Sequence, residues 1–113
     1  ADVIERVWYP GLDSHPGHDI AVRQMHGGFG GVLSVQLAGG AEAAKKFVDY
    51  TEIFTLAESL GGVESLIEVP AAMTHASVAG TTLQVPGNLV RISVGIENAD
   101  DLIADLKQAL DRL

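Results

Sequence analysis

Apolar residues recur along this chain at two spacings, and each change of spacing marks a new element. The start enters a patterned stretch at once with Val3, Ile4 and Val7, and Val7-Trp8-Tyr9 is β-prone up to the turn dipeptide Pro10-Gly11. Asp13 and Ser14 are placed to cap a helix with Pro16 in its first turn, carrying Ile20, Ala21 and Met25 and ending near Gly27-Gly28. In Gly31 to Leu37 the residues Leu33, Val35 and Leu37 fall on one face of a half-buried strand. Helical spacing returns in Ala41 to Tyr50, where Ala44, Phe47 and Val48 form an apolar stripe opposite Lys45, Lys46 and Asp49.

Three further strands are predicted: Ile53 to Ala57, Ser65 to Val69 closed by Pro70, and Leu89 to Gly95. Asn98 then caps a last helix with Asp100 and Asp101 in its first turn, where the helix dipole favours acids. Ala99, Leu102, Ile103, Leu106, Ala109, Leu110 and Leu113 supply its docking face. The order β, α, β, α, β, β, irregular segment, β, α lacks the regular βαβ rhythm of a doubly wound sheet. An α+β layer with a mostly antiparallel sheet fits it better.

Composition narrows the classes of function. With 113 residues, 47% of them apolar and 19% charged, the chain suits one folded domain spanning residues 1–113. A formal net charge of -8 argues against a nucleic-acid partner, which would need clustered Lys and Arg. No apolar run approaches the ~20 residues that span a bilayer, so the expectation is a soluble, cytoplasmic protein with no membrane partner. The absence of cysteine excludes disulfides, thiolate metal sites and cysteine nucleophiles. The opening ADVIERV begins in mid-pattern, which raises the expectation that the chain is a piece of a longer polypeptide.

Against that acidic background one cation stands out. Arg91 lies inside LVRISVG, on the strand face opposite Val90, Ile92 and Val94. Two readings fit it: a solvated arginine on the outside of the sheet, or a planar fork for a carboxylate. Glu58-Ser59-Leu60-Gly61-Gly62 ends a strand with glycines that permit close backbone approach to a ligand, though an ordinary turn would look the same. The run Gly27 to Gly31 precedes a strand rather than a helix, so it reads as a connection and not a phosphate loop. His15 and His18 lack a second ligand pair at zinc spacing and read as packing residues, so no metal is expected. Ser59 has no GxSxG setting, Thr74-His75 leads into a connection or lid, and no hydrolase triad is supported.

Four segments in order, YPGLDSHPGHDIAVRQM, GGFGGVLSVQL, FTLAESLGGVESLIEVPAAMTHASV and LVRISVGIENADDLIADLKQAL, closely resemble the C-terminal domain of the Cys/Met-metabolism family of pyridoxal-phosphate (PLP) enzymes. The likeness runs from about Trp8 to the end, and departs from many members in the short ASVAGTTLQVPGN segment before Leu89. It implies the small C-terminal domain of the type I PLP-dependent, aspartate aminotransferase-like fold. Its transsulfuration synthases are the nearest in kind, with lyases and sulfhydrylases close by. They imply γ-replacement on an O-acylhomoserine by cysteine.

By motif position the resemblance implies that Arg91 binds the substrate α-carboxylate, that Ser59 shares this work, and that Glu58 faces the distal part of the bound amino acid. It also implies a homotetramer, and a cofactor, pyridoxal 5'-phosphate, held by a large domain absent from this chain. Lys45, Lys46 and Lys107 are the only lysines, and none stands in the family's Ser/Thr-Lys setting, so no catalytic residue and no cofactor-binding residue is expected here. The chain by itself is then expected to be inactive, with the rest of its own polypeptide as its partner. A free-standing small-molecule-binding module without catalysis is the competing expectation from another class.

Overall fold

The computed structural model describes residues 3–56, 60–70 and 87–113. Its elements are strand β1 (Ile4–Trp8), helix α1 (His18–Gln24), β2 (Val32–Leu37), α2 (Gly40–Tyr50), β3 (Thr55–Leu56), β4 (Leu66–Glu68), β5 (Leu89–Ser93) and helix α3 (Ala99–Asp111). They form a five-stranded sheet of order β1-β2-β5-β4-β3. Every neighbouring pair is antiparallel except β3 with β4. The α+β architecture with a mostly antiparallel sheet is therefore as the sequence predicts.

Strand alternation decides what each face of the sheet carries. Val35 lies opposite Val90, Leu33 opposite Ile92, and Ile92 opposite Ile67, so these apolar side chains share one face. Against that face pack Ala44, Phe47 and Val48 of α2 and Leu102 and Ala109 of α3, which closes the core. Leu37, Phe47, Ile67 and Val90 are among its fully buried residues. In β1 both Ile4 and Val7 meet core residues, Leu37 and Val35, although they are three positions apart. A register shift between Ile4 and Arg6 explains it, because one bulged residue inverts the alternation.

Several expectations are corrected. The first helix starts at His18, and its N-cap is Gly17 with no side-chain cap, so Asp13 and Ser14 do not cap it. The reason is local: a residue before proline disfavours the helical region, and residues 9–18 instead run through successive turns, Leu12 N–H to Tyr9 C=O, His15 to Leu12 and His18 to His15. Of the three apolar residues that this stretch carries, Ala21 is buried whereas Ile20 and Met25 are exposed.

The predicted strand 53–57 shrinks to Thr55–Leu56, an exposed edge, while Phe54 turns into the core. Ala57 lies outside the described residues, as do His75 and the 71–86 part of the predicted irregular segment. Strand β5 ends at Ser93, which leaves Val94 exposed rather than on the core face.

The last helix follows its pattern closely. Asn98 Oδ1 accepts from the N–H groups of Asp100 and Asp101, satisfying donors that the first turn leaves open. Ile103 is 62% exposed, however, and its expected place on the buried face goes to Asp105, which is 5% exposed. Asp105 accepts hydrogen bonds from the backbone N–H groups of Glu52 at 2.7 Å, Ile53 at 2.8 Å and Phe54 at 3.1 Å. One carboxylate thereby fixes the turn between α2 and β3 onto α3.

Candidate functional site

On the sheet face turned away from the two packed helices, Trp8, Ser34, Arg91 and Glu68 stand side by side across β1, β2, β5 and β4. The same alternation that buries Val90 and Ile92 puts Arg91 there, as the sequence predicts. It is not a solvated arginine. Its side chain is 25% exposed and ion-paired with Glu68, whose side chain is 7% exposed.

A buried carboxylate is costly to desolvate alone, so the guanidinium beside Glu68 is what makes its position tolerable. A planar guanidinium offers five N–H donors in a fixed fork. That chemistry suits the recognition of an anion.

Around this pair the face is polar and closely tied. Trp8 donates its indole N–H to Gln36 Oε1 at 3.1 Å, and the Arg6 guanidinium lies 3.7 Å from the Trp8 ring centroid. Gln36 in turn donates to Asn88 Oδ1 at 3.3 Å, and Asn88 donates to the Leu37 carbonyl at 2.8 Å. These bonds fix the entry to β5, the strand that carries Arg91.

The exit from β5 is fixed as well, and to the glycine motif. Ser93, 2% exposed, accepts the Gly61 N–H on its Oγ at 2.8 Å. Gly61 has φ +76, a left-handed conformation that favours glycine. Gly95 donates its N–H to Ser65 Oγ at 2.9 Å, and Ser65 Oγ donates to Glu97 Oε1 at 2.6 Å. The contact is so close that a Cβ on Gly95 would stand 2.2 Å from the Val63 carbonyl oxygen, so only glycine fits. Hydrogen bonds from the Ser65 side chain, from Glu97's own backbone and from the Ser65 N–H hold the Glu97 carboxyl below the usual glutamate range.

Of the site residues expected from sequence, only Arg91 is described; Glu58 and Ser59 lie outside the described residues. What the structure does show is that Gly61, from the same motif, is bonded to the strand of Arg91. Glu68, Ser93, Ser65 and Glu97 were not singled out by sequence reasoning. An acid two positions from Leu66 on one face of an apolar strand was the available signal for Glu68.

Among the remaining candidates, His18 Nδ1–H donates to the Pro10 carbonyl at 2.7 Å, a packing role as expected. No group of three metal-ligating side chains occurs among the described residues. A shallow depression of about 450 Å³ lies between α3 and residues 52–53, but its Asp105 carboxylate is committed to backbone donors. Among the described residues no helix is long and apolar enough to cross a membrane.

Lysine would be the covalent anchor of a PLP cofactor. Lys45 and Lys46 are exposed on α2 and Lys107 is exposed on α3, and both helices cover the sheet face opposite Arg91. The residues of this chain do not fit the cofactor's attachment.

Comparison with known proteins matches the family model described as Cys/Met metabolism PLP-dependent enzyme to residues 1–111. The chain is 60% identical over 108 residues to cystathionine gamma-synthase of Mycobacterium leprae, covering 96% of this chain and 28% of that protein. It is 54% identical over 106 residues to cystathionine gamma-lyase of Saccharomyces cerevisiae, covering 90% of this chain and 27% of that protein. The crystal structure of metB from Corynebacterium glutamicum superposes with a TM-score of 0.93 at 59% identity, covering 97% of this chain and 28% of that one. The chain thus spans little more than a quarter of the length of these relatives, and across its own length it belongs to the Cys/Met-metabolism family of PLP-dependent enzymes.

Proposed function

We propose that this chain is the substrate-side, C-terminal domain of a PLP-dependent transsulfuration enzyme acting as a cystathionine γ-synthase. The reaction is γ-replacement: the Cγ–O bond of an O-acylhomoserine breaks, the acyloxy group leaves as a carboxylate, and the thiolate of cysteine bonds to the γ-carbon in its place. The observation that carries the reading is Arg91, a partly buried guanidinium fixed on a polar sheet face within a chain that is 60% identical to a cystathionine gamma-synthase.

Bound PLP supplies an electron sink for such chemistry, and its attachment is assigned to the part of a longer polypeptide outside this chain. What these residues contribute is orientation. Arg91 would grip the α-carboxylate bidentately and so fix the attitude of the amino acid's α-carbon. Ser59 and Glu58 are assigned to the same pocket by motif position, Ser59 beside the carboxylate and Glu58 toward the distal end. The homotetramer implied by the family likeness belongs to this proposal, and the solution mass of the intact protein checks it.

The yeast relative, a cystathionine gamma-lyase 54% identical, favours a second reading in which the intact protein cleaves cystathionine. One assay separates them. The intact holoenzyme, given an O-acylhomoserine and cysteine, should form cystathionine faster than it cleaves it; the reverse order of rates supports the lyase. In that protein Arg91→Ala should lower kcat/KM about a hundredfold, the loss of two charge-assisted hydrogen bonds, with the cofactor absorbance near its wild-type intensity. Loss of that absorbance would instead make Arg91 a cofactor residue.

A further inference from the structure

The role proposed for Arg91 leaves its partner Glu68 unexplained. Glu68 sits directly across the β4–β5 ladder from Arg91, and its side chain is more buried, 7% exposed against 25%. The two residues before it on the strand, Leu66 and Ile67, are buried at 7% and 1% exposure, so the carboxylate is held by a well-packed backbone. A site meant to attract anions by charge alone would gain nothing from an acid placed there. Resting on the reading of Arg91 as carboxylate anchor, we propose that Glu68 is a specificity-determining residue for the substrate carboxylate.

Charge and geometry act in opposite directions at this pair. Glu68 neutralises Arg91, which weakens its pull on every anion. Through the contact of Arg91 Nη2 with Glu68 Oε1 it also orients the guanidinium, whose paired donors match a forked acceptor. A spherical anion loses the charge term and gains nothing in return. A carboxylate recovers it through two parallel hydrogen bonds. The pair therefore makes the site selective for a carboxylate over an anion that offers charge alone.

The test uses the intact holoenzyme and three probes whose binding the cofactor absorbance reports: L-norleucine, pentylamine (the same chain without the carboxylate) and chloride as a competitor at constant ionic strength. In Glu68→Gln, which keeps the shape and removes the charge, the affinity for norleucine relative to chloride should fall about tenfold, or one tenfold step in an equilibrium constant. Because both anions gain alike from the added net charge, the ratio isolates geometry. An unchanged or larger ratio overturns the proposal, and so does an equal loss of norleucine and chloride, the sign of a merely structural role.

Arg91→Ala tells the two ideas apart. It should erase the preference for norleucine over pentylamine; if that preference survives, the underlying reading of Arg91 fails whatever Glu68 does. Should Glu68→Gln not fold, Glu68→Asp keeps the charge and withdraws it by about one bond length, ~1.5 Å. Norleucine should then weaken while chloride holds, and a wild-type ratio in that variant overturns the proposal.

Discussion

The two faces of one sheet are built on opposite principles. Toward α2 and α3 the sheet presents Val35, Leu37, Ile67, Val90 and Ile92, whose burial is non-directional and tolerates any good packing. Away from them it presents Trp8, Gln36, Ser34, Arg91 and Glu68, among them the Trp8–Gln36 hydrogen bond and the Arg91–Glu68 ion pair, whose worth depends on geometry. The strand β5 serves both, with Val90 and Ile92 on one side and Arg91 on the other. The backbone that positions the arginine is thus fixed from the far side of the sheet: packing one face sets the strand from which the other face presents its polar groups.

The largest effect should come from breaking the packed face. Phe47, 1% exposed, fills the space between α2 and the sheet. Phe47→Ala in the intact protein should cost about 3–5 kcal/mol of stability, read as a shift in the urea midpoint. The fraction still folded should keep a kcat/KM close to wild type, because no side chain of the Arg91 row is altered. A large loss of kcat/KM in folded molecules would show that the two faces are not separable in this way.

A smaller loss is expected where a polar group was recruited into the packed layer. Burial opposes ionisation of Asp105, but the N–H groups of Glu52, Ile53 and Phe54 and the Gln108 amide outweigh it and lower its pKa below the ordinary aspartate value. Asp105→Asn replaces one acceptor oxygen with a donor and must abandon Glu52 or the Ile53–Phe54 pair, at a cost of about 1–3 kcal/mol. The sign with pH follows from the lowered pKa. The stabilisation is complete above about pH 4, the unfolded value, and is lost as pH falls through the lower folded value. Urea midpoints of wild type and variant should therefore converge under acid.

Much of this was legible because period alone reveals a face. Leu33, Val35 and Leu37, the α2 stripe, and the Asn98 cap were all readable from local spacing. Arg91's face followed from the same rule. Its partner did not, because the adjacency of β4 and β5 is decided by tertiary closure across a long stretch of chain, and no local spacing encodes it. Asp105 shows a different failure. It occupies the apolar stripe at i+3 from Leu102 and i–4 from Ala109, and a scan for apolar residues alone passes over the acid between them. Asp105 and Glu68, like Arg91, are polar intruders within apolar stripes, and that is the local signal both carry. The first helix was misplaced because Asp13, Ser14 and Pro16 imitate a helix start while backbone turns through residues 9–18 satisfy the same donors.

The smallest expected effect sharpens the boundary between the two faces, at the turn where β5 leaves the sheet. Glu97 is exposed, and its carboxylate accepts from Ser65 Oγ at 2.6 Å and from the Ser65 N–H at 3.2 Å. These donors lower its pKa, so the stabilisation it gives is complete above the ordinary glutamate value of about 4.3 and disappears as pH falls through the lowered one. Glu97→Gln keeps an oxygen that can accept from the serine, which limits the loss at neutral pH. The urea midpoints of wild type and Glu97→Gln should differ slightly at pH 7, by less than the loss at Asp105, and converge as pH falls through the lowered value. A difference that persists undiminished into acid would mean that the ionised carboxylate contributes nothing beyond its shape. In that case the turn is held by Gly95 and its close backbone contact with residues 63–65, and steric fit, rather than charge, is what aligns the glycine motif with the strand of Arg91.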